Sequence, residues 1–342
     1  MKQDLDQLII KQGADALWIT GAAQHNPAMV YLTGGAHVTG ADLFIRPGQK
    51  PVLCHGMMER DEAAKTGYEL LSYAKFPMQA YLEQAHGDLL EASALRYADI
   101  LKEIGLTEGK VLLYGMVEFG QQFALMQRLG ELMPSLRLSG DFDGSIMLEA
   151  RATKSTDELA RIRHMGQVTT NVVKRTQEFL TAHDVQDEIL IKEDGSPLTI
   201  GDVKGQINLW LAEAGAENPE DTIFAIGRDA GVPHSSGTPS DPIRLGKSIV
   251  FDIFPCEAGG GYFYDFTRTW CLGYAPEEVQ KAYDQVKSVY AQIVTELENN
   301  VNPSRYQART CELFEGMGHE TIRQNPQITQ GYIHSLGHGV GL

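Results

Sequence analysis

The sequence predicts an α+β protein in two parts: an α/β domain over residues 1–150, then a domain over 151–342 that joins long helices to a β-rich block. Three observations predict it. Short apolar runs closed by glycine alternate with helical spacings through the first 150 residues. A long amphipathic pattern opens at Ser155, behind a polar stretch. A strand-rich segment, Thr222 to Leu272, lies between two further helical patterns.

Taken in order, Leu5, Leu8 and Ile9 recur at helical spacing, and Ala16–Thr20 is an apolar run closed by Gly21 that reads as a strand. Met29–Leu32, closed by Thr33-Gly34-Gly35, reads as another. Asp42–Ile45 runs into the turn Arg46-Pro47-Gly48-Gln49, with Pro51–Cys54 as its hairpin partner. A helix over Tyr97–Ile104 precedes a strand over Lys110–Tyr114. Glu149 to Lys154 is polar, shows no periodic core face and marks the domain boundary. Ser155 then opens a helix, with Glu158 three residues on completing a capping box, and an apolar stripe from Leu159 through Leu180 follows. Further helices are expected over Gly201–Ala214 and Pro276–Leu297, the latter with Tyr283, Val286, Tyr290, Ile293 and Leu297 on one face.

Composition narrows the function. The 342 residues carry 29 basic and 45 acidic side chains, a net charge of −16, which weighs against nucleic acid because duplex binding needs Lys and Arg to replace condensed counterions. The 43% hydrophobic and 22% charged content excludes wholesale disorder. No apolar stretch reaches the roughly 18 residues of a membrane span, and the first 21 residues lack the basic-then-apolar layout of a secretory signal. Cys54, Cys256, Cys271 and Cys311 lie far apart with no CxxC pair and read as reduced thiols. The expectation is a soluble, cytoplasmic protein with no membrane or nucleic-acid partner.

Two constellations carry chemistry. Ser248–Phe254 and Tyr262–Trp270 read as a hairpin around Glu257-Ala258-Gly259-Gly260-Gly261, with one carboxylate in each apolar strand, Asp252 and Asp265. If they oppose one another, residue i faces 517 − i, Phe254 faces Phe263, and both carboxylates share a face at ~5 Å. Such a pair needs a proton or a cation between its members, and a carboxylate-rich site suits hard or borderline ions such as Mn²⁺, Mg²⁺ or Co²⁺. Partnership with Arg268 and Lys247 is the plainer alternative. The second constellation is Tyr332-Ile333-His334-Ser335-Leu336-Gly337-His338-Gly339-Val340-Gly341, where two histidines four apart share a face and three glycines argue for closely approaching strands over a helix. Two histidines satisfied within a glycine-rich loop is the alternative there. A third, weaker piece is Ala230-Gly231-Val232-Pro233-His234, a histidine in a Gly/Pro loop ahead of Asp252. The other seven histidines read as surface or structural.

In this order, the three pieces resemble the pita-bread metallopeptidases, the Xaa-Pro aminopeptidases and Xaa-Pro dipeptidases (prolidases) of the two-domain creatinase-like type. The resemblance runs from an N-terminal creatinase/prolidase-like domain over 1–150 to a pita-bread catalytic domain over 151–342, opened by Arg151-Ala152-Thr153-Lys154-Ser155. It implies that Asp252, Asp265 and His338 are metal ligands, with Asp265 bridging, and that His234 and His334 are catalytic residues contacting substrate. It also implies two divalent metal ions, manganese foremost with cobalt or zinc as the other candidates, hydrolysis of Xaa-Pro bonds in short proline-containing peptides by metal-activated water, and a homodimer. Two departures are visible. Asp252 and Asp265 are thirteen apart, two more than the family spacing, and the glycine loop is where the extra residues are expected. Two glutamate ligands expected on strands after the His-x-x-x-His segment have no counterpart before the chain stops at Leu342, so the last strands and part of the site are expected to be missing and the 342-residue chain itself inactive. A creatinase-like amidinohydrolase and a non-catalytic peptide-binding protein of the same fold are the alternative readings.

Overall fold

A computed structural model of the chain describes residues 4–342. Its first part is a six-stranded sheet covered by helices on both faces. In chain order it runs α1 (Leu5–Lys11), β1 (Ala16–Gly21), α2 (Pro27–Thr33), β2 (Ala41–Ile45), β3 (Val52–His55), α3 (Arg60–Ala64), β4 (Glu69–Ser72), α4 (Met78–Gln84), α5 (Leu89–Glu103), β5 (Gly109–Gly115), α6 (Phe119–Leu132), β6 (Leu136–Gly140) and α7 (Ser145–Ala152). The strand order is β4-β3-β2-β1-β5-β6, with β1, β5 and β6 mutually parallel and β2 antiparallel to β1 and β3. Alternation along each strand explains why both faces are apolar. Leu17, Ile19, Leu43 and Ile45 pack under α1, α2 and α7, whereas Ala16, Trp18 and Phe44 pack under α5 and α6.

Two expectations in this half are corrected. Met29–Leu32 is not a strand: it lies in α2, whose N-cap Asn26 accepts from the Met29 N–H and whose first residue is Pro27. An apolar run of four residues fits either element, and here the cap and the proline decide for helix. The stretch from Glu149 is not without a core face, because α7 continues through it and buries Ile146, Met147 and Ala150 against the first sheet.

The second part begins with α8 (Thr156–Thr181), where Ser155 and Glu158 form the expected capping box. It continues through the hairpin β7 (Asp184–Gln186) and β8 (Ile189–Ile191), α9 (Ile200–Glu213), β9 (Ala216–Glu217), β10 (Ile223–Ile226), β11 (Ser248–Ile253), β12 (Cys256–Glu257), β13 (Phe266–Cys271), α10 (Glu277–Glu296) and α11 (Pro303–Gly316). The sheet β10-β11-β13 is antiparallel and two-faced. Phe224, Ile249, Phe251 and Ile253 form a core with α8 and α9, through residues such as Val172, Ile207 and Trp210. The alternate positions Ile223, Ala225, Val250 and Asp252 face the other way.

Helix α10 covers the expected segment, and its apolar face is only partly covered. Val289 and Ile293 rest on Phe314 of α11, but Tyr283, Val286, Tyr290 and Leu297 are exposed, Tyr290 to 69%. The periodicity correctly shows an apolar face, but α11 covers only one edge of it.

Candidate active site

The outer face of the β10-β11-β13 sheet floors a cleft of about 830 Å³, and the two histidine segments wall it. All five residues singled out from the sequence line this cleft: His234, Asp252, Asp265, His334 and His338. Asp252 reaches it because β11 alternates, with Phe251 and Ile253 buried in the core and Asp252 between them on the opposite face.

The register differs from the predicted one. Asp252 faces Thr267 and Ile253 faces Phe266, so residue i faces 519 − i, and Phe263 bridges to Cys256 instead of Phe254. A shift of two keeps the parity, so Asp252 and Asp265 still share a face but stand as diagonal neighbours. The side chain directly opposite Asp252 is Thr267, whose hydroxyl donates to Asp252 Oδ1 at 2.5 Å. The turn runs through Ala258-Gly259-Gly260-Gly261 between the paired residues Glu257 and Tyr262.

Burial holds the Asp252 carboxyl above its ordinary range, and the Asp265 carboxylate beside it pushes the same way against the Thr267 hydroxyl. His338 Nε2 lies 3.1 Å from Asp265 Oδ2, while its Nδ1 donates to the Gly339 carbonyl at 2.8 Å. That carbonyl contact, joined by the Asp265 and Asp252 charges, raises the His338 pKa. Because Nδ1 keeps its hydrogen for Gly339, a neutral His338 turns the lone pair of Nε2 toward a carboxylate oxygen. Two acceptors so placed require a proton or a cation between them.

His334 belongs to the other end of the cleft. Its ring centroid is 6.4 Å from that of His234, and its Nδ1 donates to the Ser335 carbonyl at 2.7 Å. His234 itself sits at φ +59°, a left-handed conformation uncommon outside glycine. The segment from His334 to Val340 is exposed irregular chain and not the strands expected. The four-residue spacing therefore does not bring its histidines to one point: His338 meets Asp265, and His334 meets His234.

Two contributors escaped the sequence reading. Gln307 of α11 donates to the His334 carbonyl at 3.2 Å and accepts from the Leu336 N–H at 2.5 Å, tethering the segment. Phe263 donates its N–H to the Gly341 carbonyl at 2.8 Å, tying the strand before Asp265 to the chain beyond His338. An ordinary helical glutamine and a backbone amide carry no sequence signal for either role.

The donors of this cleft, two carboxylates and an imidazole, suit a divalent cation in type and charge. Their contacts are pairwise: among the described residues, no group of three or more His, Cys, Asp or Glu side chains comes together tightly enough to hold a metal.

The architecture is the two-domain pita-bread fold, as comparison with solved structures shows. The chain superposes on the Xaa-Pro dipeptidase from Bacillus anthracis with a TM-score of 0.72 at 16% identity, over 99% of this chain and 81% of that one. It superposes on prolidase from Pyrococcus furiosus with a TM-score of 0.69 at 17% identity, over 98% and 82%. Residues 160–342, more than half of the chain and including all five cleft residues, match the sequence profile of metallopeptidase family M24. The chain belongs to that family. Among curated relatives it is 26% identical to the Xaa-Pro dipeptidase of Pyrococcus furiosus, over 58% of this chain and 49% of that protein. It is 24% identical to a putative Xaa-Pro aminopeptidase of Mycoplasma genitalium, over 57% and 48%. The chain thus spans about half the length of these two relatives. It is also 24% identical to the Xaa-Pro dipeptidase of Pyrococcus horikoshii, over 97% of this chain and 78% of that protein.

Proposed function

We propose that this chain is a metal-dependent exopeptidase that cleaves Xaa-Pro bonds in short peptides. The observation that carries the reading is the arrangement of Asp252, Asp265 and His338: two diagonal carboxylates, one raised by burial, and an imidazole lone pair 3.1 Å from the second carboxylate. These three residues would hold two divalent ions, manganese foremost, with Asp265 shared. When bound, such ions supply Lewis acidity, lowering the pKa of water and polarising a peptide carbonyl. Thr267 holds Asp252 in its rotamer by a hydroxyl donation. His334, with Nδ1 committed to Ser335, offers Nε2 across the cleft, and His234 stands beside it. Together they stand where they would orient a substrate carbonyl.

The division at 150/151 is supported by packing, since the first-sheet cores hold no residue beyond Ala150 and the core of the second part holds none before Met165. Cytoplasmic placement is supported by four cysteines that are all free thiols. A homodimer rests on family resemblance. Among the described residues, no helix is long and apolar enough to cross a membrane.

The test is calorimetric titration with Mn²⁺, followed by hydrolysis of an Xaa-Pro dipeptide against its Xaa-Ala counterpart. Asp265→Asn is expected to weaken Mn²⁺ binding by about 100-fold or more. Equal Mn²⁺ binding by both proteins, or turnover that survives a strong chelator, would overturn the reading.

A further inference from the structure

The turn between β11, which carries Asp252, and the residues leading through Asp265 into β13 is held from outside the cleft. Arg161, one turn into α8, donates Nε to Glu257 Oε1 at 2.9 Å and Nη2 to Glu257 Oε2 at 2.5 Å. It also stacks 4.5 Å over the ring of Tyr262 and reaches the Gly34 carbonyl of the first part at 3.4 Å. Both side chains are largely withdrawn from solvent, at 33% and 20% exposure. Burial alone would raise the Glu257 carboxyl, yet the guanidinium and the Tyr262 N–H hold it below its ordinary range.

The same carboxylate closes the turn. Glu257 Oε2 accepts from the Tyr262 N–H at 3.0 Å, and a Cβ at Gly261 would lie 2.2 Å from it. On the far side, Gly259 accepts from the His25 N–H at 2.9 Å and donates to Glu217 at 2.9 Å. The tether to the histidine segment starts immediately after this turn, at Phe263, and ends at Gly341. Gly341 is seated in a slot: a Cβ on it would find Lys154, Ile162 and Tyr262 at 3.4 to 3.6 Å. Arg161 stacks on that same Tyr262, and Ile162 is its neighbour on α8.

We propose that Arg161 and Glu257 are a positioning pair, which fixes the glycine-rich hairpin turn so that Tyr262 and Phe263 seat Gly341 and thereby set His338 against Asp265. A four-residue glycine-rich turn without such a pin samples many conformations, and each would move Phe263, the donor to Gly341. The bidentate fork supplies directional restraint that a lone surface charge would not. The proposal rests on the metal-binding role of Asp265 and His338 only for its consequence. The pinning itself is read without metal.

The experiment is hydrogen exchange across the folded chain, paired with Mn²⁺ titration, for the wild type and for Arg161→Gln, Arg161→Lys and Glu257→Gln. Arg161→Gln is expected to speed exchange at Tyr262 and Phe263 by about tenfold, leave Val250 and Arg268 unchanged, and weaken Mn²⁺ binding by about tenfold. Arg161→Lys, which keeps a cation on Glu257, should recover much of both. Glu257→Gln keeps an acceptor for Tyr262 and should show the same pattern more weakly, which serves if Arg161→Gln does not fold. Unchanged exchange at Phe263, or acceleration equal to that of the first sheet, overturns the proposal. A wild type that takes up no Mn²⁺ while the local exchange pattern holds removes the metal reading and leaves the pin standing.

Discussion

Gly115 closes β5 at φ +142°, where a Cβ would lie 2.2 Å from the Thr20 carbonyl oxygen of the neighbouring strand. Gly144, at φ +60°, has open space around its missing Cβ. The two separate steric clash from backbone strain. Gly144→Ala is expected to cost about 1 kcal/mol and Gly115→Ala at least about 2 kcal/mol, read as the difference in urea-unfolding free energy. Equal costs would mean that β1 and β5 are free to part at that end. At this scale the candidate site was largely legible. Asp252, Asp265, His234, His334 and His338 were named from residue type and spacing, and all five line one cleft. What spacing cannot convey is the partner. Thr267 faces Asp252 only because the hairpin turn is centred one residue later than the opposed-carboxylate register requires, and Gln307 reaches His334 from a helix with no sequence link to the cleft.

Helix ends test the reading of elements. Ser155 caps α8 by accepting from the Glu158 N–H, and Thr199 caps α9 by accepting from the Asp202 N–H. Ser155→Ala and Thr199→Ala should each cost about 1 kcal/mol in chemical denaturation. Glu158→Ala should cost more than Ser155→Ala, because Glu158 is buried and accepts from the Tyr262 hydroxyl as well as from the Ser155 N–H. If the Glu158 variant were the milder of the two, the contact with Tyr262 would carry no stability. Capping boxes are legible because they are local, complete within four residues. The strand expected at Met29–Leu32 failed for the converse reason: a fully buried helix and a fully buried strand both present an unbroken apolar run, and the informative signal was Asn26-Pro27 ahead of it. Nor could glycine content distinguish closely packed strands from the irregular chain that carries His334 and His338.

For the molecule as a whole, the exposed side of α10 matters most to behaviour in solution. Tyr283, Val286, Tyr290 and Val294 present apolar surface on a chain whose net charge of −16 otherwise favours dispersal. The protein is expected to bind the dye ANS at neutral pH, and the pair Val286→Glu with Tyr290→Glu to lower the signal by about half. An unchanged signal would place the dye elsewhere, such as against the stacked rings of Phe119 and Phe123. Periodicity revealed that α10 has an apolar face, but which neighbours cover such a face is a property of the whole assembly. The first sheet shows the same limit from another direction. Its parallel strands β1, β5 and β6 end beside the start of α6, the layout by which nucleotide-binding sheets seat a phosphate on a helix N-terminus. Here Glu118 already fills that position, its carboxylate accepting from the Gln121 N–H at 2.6 Å and held below its ordinary range by the Gln121 and Gly120 amides. A phosphate arriving there would meet a fixed negative charge where the layout otherwise offers free amides. One acidic residue thus sets a negative charge in the crevice that the strand order would lead one to search first.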